Sequence, residues 1–454
     1  MVGVEAGAVA AVDPGGRRRA GLGRHRRAPR RGQGLTKKQG SVMRAKDKNI
    51  DLEFLRAAAL LMILFQHAEV LVSSSHQLYW DIRHHLNLWG SVDLFFCVSG
   101  FIITRGLIQT FPPGPGEDRY LISRRLGWKN TALAFWVRRA WRLWPSAWLW
   151  ILLSLGCAVL LNRSGVFGNV GRMAWDALAA FFHLANFHWA GCYMQELATC
   201  NMMPATLFEA HLPTGWNLAV YWSLSLEEQF YFLVPLLLFF IPKRWIAAAI
   251  GLALLALAPL SRDPLGLLWF VRVDAILVGM AIGWATHVLE QRGRRAMPPA
   301  WLRGKWLIQL LALGVLLAIG WLGAGERGGR AGTITAIAAC SGLLVWIASY
   351  DRDLLIPSNR IARAFFVWMG NRSYCLYLVH MVAYFLTIEL WFRAGGARGP
   401  WQQVAYFATA AVLVSAFAEI TARWVETPLR RKGHARAQPW LARRGSQPDQ
   451  ILHA

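Results

Sequence analysis

Charged residues are scarce in this 454-residue chain, at 16%. An ordinary soluble domain carries about a quarter, so a surface wetted on all sides is excluded. Acidic residues are the scarcer sign: 25 Asp and Glu stand against 49 Lys and Arg, a formal charge of +24. That excess is not read as a nucleic-acid footprint, because the aromatic and basic residues do not interleave as such modules require. Cysteine is scarce too: six residues, none with metal-type spacing, so no metal is expected. Most lie in apolar runs, where cysteine acts as a small hydrophobe. Cys192 and Cys200 share one expected outer loop, which admits a disulfide. No cleavable signal pattern and no inverted repeat of the transporter kind is read.

Apolar sequence is plentiful instead. Hydrophobic residues make up 55% of the chain, with 24 Trp. They fall in runs of roughly 18 to 24 residues, enough to cross a hydrocarbon core of about 30 Å. The expected fold is therefore all-α and polytopic. Ten spans are expected, near 52–72, 88–109, 143–161, 220–241, 245–261, 267–288, 305–323, 332–350, 364–391 and 402–425. With the N-terminus inside, loops 110–142, 242–244, 289–304, 351–363 and the segment after 425 are cytoplasmic, and these carry the basic residues, as the positive-inside rule requires. Both termini are thus expected in the cytoplasm and the chain in the inner (plasma) membrane. A further apolar piece, 173–189, holds Asp176, His183, Asn186 and His188. An eleventh span would invert every later loop, so this piece is expected to be re-entrant, interfacial or half of a hairpin. Residues 1–48 carry thirteen Lys or Arg against three acids. They read as a disordered basic tail, with Met43 offering a later start. The membrane domain is expected over 49–428, followed by a basic cytoplasmic tail, 429–454.

Several polar residues fall inside these spans, where a central charge costs about 2.5–3.5 kcal/mol. In the first span, Arg56 and His67 are eleven residues apart, three helical turns plus about 20°, so they share a face with a rise of about 16.5 Å between them. Arg56 lies near the cytoplasmic mouth, where a cation holds phosphate. His67 lies deeper, where an imidazole serves as general base or merely hydrogen-bonds a neighbour. The second span carries Asp93, read as an interfacial cap, and Ser99, read as bonding back to its own helix. Before the third span stand Arg138, Arg139 and Arg142, a guanidinium cluster suited to phosphate oxygens or to simple anchoring. Glu227 and Glu228 are adjacent inside the fourth full span, and one is expected to pair with a His or Arg of another helix. Arg272 and Asp274 enter the sixth span, where Gly279 and Gly283 form a small-residue packing face. In the ninth span Tyr374, Tyr377 and His380 recur every three residues. Glu426-Thr427-Pro428 reads as the stop of the last span.

Seven of these segments resemble, in order, the acyltransferase-three family (acyltransferase family 3) of integral membrane acyltransferases. They are Leu55 to His67, DLFFCVSGF from Asp93, RRAWRLWP from Arg138, WSLSLEEQFYFLVP from Trp222, RVDAILVG from Arg272, SYCLYLVH from Ser373 and VETP from Val425. The resemblance implies O-acylation of a carbohydrate or glycoside, with acetyl-CoA or another acyl-CoA as donor. It implies Arg56 and His67 as the leading functional pair, the basic cluster at Arg138, Arg139 and Arg142, the family's Glu at Glu227 and its late His at His380. One departure is Glu53-Phe54, where the family often has Asp-Gly. A fused external esterase-like domain is not matched, so a stand-alone member is expected.

The expected chemistry follows. Phosphates of acyl-CoA meet Arg138, Arg139, Arg142 and Arg56, and the thioester reaches His67. His67, oriented by Glu227, deprotonates the acceptor hydroxyl, and direct transfer is preferred over an acylated His67. The alternative class is a proton-coupled secondary transporter of an organic acid or glycolipid, with the buried His and Glu as relays.

Overall fold

The computed structural model describes residues 48–72, 76–110, 118–120, 127–194, 218–293, 304–396 and 401–441. By contacts the chain divides into Met1–Lys48 and Asn49–Ala454. The expected basic tail before residue 48 lies outside the described residues, and so does the end of the chain after 441.

Every regular element among the described residues is helical. The first is α1, Ile50–His67, followed by a short outer helix α2, Gln77–His85, and by α3, Ser91–Thr110. Next come the long α4, Gly127–Leu160, the short pair α5, Val170–Phe181, and α6, Ala185–Tyr193, then α7, Tyr221–Phe240, and α8, Lys243–Leu257. A one-turn α9, Leu267–Phe270, precedes α10, Asp274–Gln291; α11, Lys305–Leu322, and α12, Thr333–Ala348, follow. The chain closes with α13, Arg360–Asn371, α14, Ser373–Arg393, α15, Gln402–Ile420, a π-helical turn Thr421–Glu426, and α16, Thr427–Leu441.

All ten expected apolar segments are helical, and seven helical stretches are long and apolar enough to cross a membrane. The remaining three are α1, which carries Asp51, Glu53 and Arg56, and the shorter α8 and α12 of 15 and 16 residues. The piece 173–189 becomes two short helices joined at His183, whose φ of 56° turns the chain sharply.

Four boundaries differ from expectation. The basic cluster before the third span is part of α4 itself, which begins at Gly127. The sixth span is interrupted at Val271–Val273 between α9 and α10. The ninth starts at Ser373, because the chain breaks at Arg372, whose guanidinium turns to Glu419 and lies over Trp368. Pro428 does not stop the last span: it is the second residue of α16, directly after the π turn, and the helix continues through it. The π turn before it carries the chain on to Leu441, so residues 429–441 are helix against α4, with Arg436 over Trp141 at 4.6 Å.

Two devices hold the centre. The first is backbone proximity. A Cβ at Gly279 would lie 2.1 Å from the Cys97 carbonyl oxygen, and one at Gly100 2.3 Å from that of Ile276. Only glycine lets α3 and α10 approach so closely. The second is charge pairing away from water. Asp93, expected as an interfacial cap, is fully buried and accepts from Arg272 Nε at 3.0 and 3.2 Å. Trp269, Trp222 and Trp89 enclose that guanidinium at 3.9, 4.7 and 4.8 Å. Asp274 is held by Arg262 at 2.6 and 3.0 Å and by the Thr335 hydroxyl. At the start of α1, Asp51 accepts from the backbone N–H groups of Leu354, Leu355 and Ile356, at 2.8 to 3.2 Å. That stitch fixes the depth of α1, and with it Arg56 and His67.

Removing one member of a buried ion pair strands the other and costs about 3–5 kcal/mol. Asp93→Ala is therefore expected to lower the unfolding temperature in detergent sharply, and Asp93→Leu with Arg272→Met together to be milder than Asp93→Ala alone.

Candidate active site

A narrow cavity of about 80 Å3 runs between α1, α3, α4, α7 and α14. Its polar lining has two characters. At one end stand the guanidinium groups of Arg56, Arg139 and Arg142. Arg56 pairs with Glu53 at 3.1 Å. Arg139 lies over the Tyr231 ring at 5.1 Å. Arg142 stands 4.0 Å from Glu426, and its Nε has no hydrogen-bond partner among the described residues. Three cations converging on one cavity, one with an unsatisfied buried N–H, suit a phosphorylated ligand.

Arg138 is separated from this set. It is buried, donates from Nε to the Ala134 carbonyl at 3.2 Å and does not line the cavity. Successive residues of a helix face about 100° apart. Arg138 lies about 100° round α4 from Arg139 but only about 40° from Arg142, so packing rather than helix period sets it apart; of the three, Arg139 and Arg142 line the cavity.

The cavity wall then passes Ser99, Glu227 and Tyr231. Glu227 accepts from the hydroxyls of both Ser99 and Tyr231. Glu228, turned the other way, accepts from Trp144 Nε1 at 3.1 Å. One of the two was expected to pair with a His or Arg; among the described residues neither forms such an ion pair, and hydroxyl and indole donors take that place. Ser99 bonds across to α7 rather than back to its own helix. The sequence assigned Ser99 only a structural role and Tyr231 none, although Tyr231 lies four residues from Glu227 and therefore on its face.

The far end is closed by Ser223 and Tyr377, whose hydroxyls meet at 2.7 Å, while the Tyr377 hydroxyl also donates to the Val220 carbonyl at 2.9 Å. One turn further along α14 is His380, fully buried. The His67 and His380 rings are 10° from parallel with centroids 5.1 Å apart, edge to edge. Nδ1 of His380 lies 2.6 Å from the Tyr377 carbonyl, which can only accept, so that nitrogen carries the proton. Nε2 of His380 is then an acceptor, and it takes the N–H of His67 Nδ1 at 2.9 Å. In the neutral pair this places the basic lone pair of His67 on Nε2. His380 accepts the His67 Nδ1–H and so fixes the tautomer and ring plane of His67. Among the described residues no hydrogen bond joins Glu227 to His67. The structure thus brings His67 to His380, and Arg56, Arg139, Arg142 and Glu227 to one cavity, with Tyr377 between the two groups.

Cys192 is disulfide-bonded, whereas Cys97, Cys157, Cys340 and Cys375 are free; Cys200, with which a disulfide was expected, lies outside the described residues. Among the described residues no three His, Cys, Asp or Glu stand together as metal ligands would.

The described residues thus set a buried histidine pair and a cationic cavity in a frame of apolar helices. A family model described as "Acyltransferase domain" matches residues 49–419. The chain belongs to this acyltransferase-three family and is a multi-pass membrane protein. A relative from Staphylococcus aureus strain COL, provisionally named an O-acetyltransferase, is 26% identical over 419 residues, covering 84% of this chain and 57% of its own length. The O-acetyltransferase OatA of Staphylococcus aureus strain MRSA252 is 25% identical over 389 residues, covering 81% and 57%. The chain thus spans little more than half the length of these relatives. No solved structure matches.

Two outcomes follow from the geometry. Arg139→Ala and Arg142→Ala are each expected to weaken acetyl-CoA binding about tenfold, or about 1.4 kcal/mol, with a shallower salt dependence, as read by calorimetry in detergent. His380→Phe is expected to leave that affinity unchanged and to lower the transfer rate by about 10²-fold, the lower range for a lost acid–base contribution, as read by single-turnover kinetics.

Proposed function

We propose that the protein is a membrane O-acyltransferase that moves an acetyl group from acetyl-CoA to a hydroxyl of a cell-envelope or secreted carbohydrate. The observation that carries this reading is the cavity with Arg56, Arg139 and Arg142 at one end and its opposite end, Tyr377, one helical turn from the His67–His380 dyad. The rise from Arg56 to His67 along α1 is about 16.5 Å, the order of length of an extended pantetheine arm. The cations hold the phosphates of acyl-CoA at the cytoplasmic side, and the arm brings the thioester to the dyad. The arrangement matches the basic cytoplasmic loops read from the sequence and a plasma-membrane setting with both termini inside.

In the proposed step the acceptor hydroxyl gives its proton to His67 Nε2 as its oxygen attacks the thioester carbon. The C–O bond forms, the C–S bond breaks, and the proton leaves with the CoA thiol. The imidazolium formed at His67 is stabilised through its Nδ1–H on His380 Nε2. Glu227, held by Ser99 and Tyr231, lies in the donor cavity and positions the acyl-CoA arm. Direct transfer needs no covalent enzyme intermediate.

Purified protein in lipid, given acetyl-CoA labelled on the acetyl group and a glycan extract of the source cells, is expected to yield labelled glycan. His67→Ala is expected to reduce the rate by about 10²–10⁴-fold with acetyl-CoA still bound. Full transfer by His67→Ala would contradict the role given to it.

A further inference from the structure

Acetyl-CoA and the CoA that leaves after transfer carry the same phosphates. Guanidinium groups that hold those phosphates therefore hold donor and product alike, and a tighter hold delays the exchange of one for the other without speeding the chemistry. A counter-charge behind one of the cations limits that hold, and Glu426 stands in such a place.

Glu426 is buried and ends the π turn Thr421–Glu426. Its Oε1 stands between two guanidinium groups, 4.0 Å from Arg142 Nε and 3.9 Å from Nη1 of Arg430, one turn further along the chain. Its Oε2 accepts from Cys375 Sγ of α14 at 3.1 Å. Arg142 lines the donor cavity, whereas Glu426 and Arg430 do not. Both ion-pair distances exceed hydrogen-bond length, and Arg142 Nε has no hydrogen-bond partner among the described residues. Glu426 thus offsets the charge of Arg142 without tying its guanidinium down, and it divides that effect with Arg430, whose side chain is 43% exposed.

The surrounding helices maintain this spacing. Trp150 of α4 donates from Nε1 to Thr421 Oγ1 at 2.9 Å, at the start of the π turn. Beyond the turn, Gly433 lies so close to Trp141 of α4 that a Cβ would collide with it, and Arg436 covers the same indole. The chain is therefore clamped to α4, the helix that carries Arg142, on both sides of Glu426. Single π turns inside long helices are frequent at functional sites. Elsewhere in the core a carboxylate that serves the fold closes on its arginine: Asp93 accepts from Arg272 at 3.0 Å and Asp274 from Arg262 at 2.6 Å. Glu426 is held short of that contact.

We infer that Glu426 is a counter-charge that sets the affinity of the donor site: acting through Arg142 it loosens acetyl-CoA and CoA alike, and Arg430 moderates it from outside the cavity. Glu426 touches no ligand and is a positioning residue. The inference rests on the acyltransferase reading above.

The test separates the two. The full chain in lipid is titrated with CoA and with acetyl-CoA by calorimetry, and single-turnover transfer to the cell glycan extract is read at saturating donor. Glu426→Gln keeps the size of the side chain and removes its charge. It is expected to bind CoA and acetyl-CoA each about tenfold more tightly, the scale of one screened unit charge, with the single-turnover rate within about twofold of wild type. Loss of a side chain that only joins helices would weaken binding or slow transfer, not tighten binding. Arg430→Gln is expected to weaken both ligands about threefold, and to change nothing further when combined with Glu426→Gln, because its effect runs through the carboxylate. Glu426→Asp, which withdraws the charge by one methylene, is expected to tighten binding by a smaller factor and serves if the glutamine variant does not fold. Unchanged or weakened CoA binding in Glu426→Gln, or in Glu426→Asp where only that variant folds, would overturn the inference and leave the acyltransferase reading standing. A loss from Arg430→Gln that persists in the double variant would put Arg430 on the ligand itself and overturn its part. Wild type that binds neither CoA nor acetyl-CoA would overturn both the inference and the reading.

Discussion

No water reaches the middle of a membrane domain to solvate a charge, so each polar side chain there must be answered by another side chain or by backbone. The centre of this protein is organised by that constraint. Asp93 is answered by Arg272, Asp274 by Arg262 and Thr335, Glu227 by Ser99 and Tyr231, and Glu228 by Trp144. Each of these ties one helix to another element, and together they leave little freedom in how α3, α7 and α10 meet. The His67–His380 hydrogen bond is the same device used between α1 and α14.

The same requirement explains where cations are left under-compensated. Arg272 and Arg262 each hold a buried carboxylate, and Trp rings close over the first. Arg139 and Arg142 have no such closure: one lies on an aromatic face, the other stands at the outer limit of an ion pair. A cavity opens where they point. Charge that the fold neutralises is structural, and charge that it positions but does not neutralise is available to a ligand.

Much of this was legible in the sequence. The ten apolar segments are helices because their composition leaves no other way to satisfy the backbone in hydrocarbon. Arg56, His67, His380 and Glu227 stood out because charge in an apolar run is expensive. The partners were not legible. Nothing in the spacing of Glu227 says that Ser99, 128 residues earlier, faces it, or that His67 meets a histidine 313 residues later. The breaks at 271–273 and Arg372 were hidden because hydropathy averages over a window longer than the break. Pro428 was read as a stop because proline usually ends a helix; the π turn ahead of it removes that consequence. Arg138, Arg139 and Arg142 read as one cluster, but only packing decides which face of α4 looks into the cavity.

The account stands or falls on the two imidazoles acting as one unit. Single-turnover transfer from labelled acetyl-CoA, measured for His67→Ala, His380→Phe and the double variant at equal donor occupancy, tests this directly. Residues that work as a unit lose their contribution once, not twice. The double variant is predicted to be no slower than His67→Ala alone. Rate losses that multiply would show that His67 and His380 act independently, and would contradict the dyad.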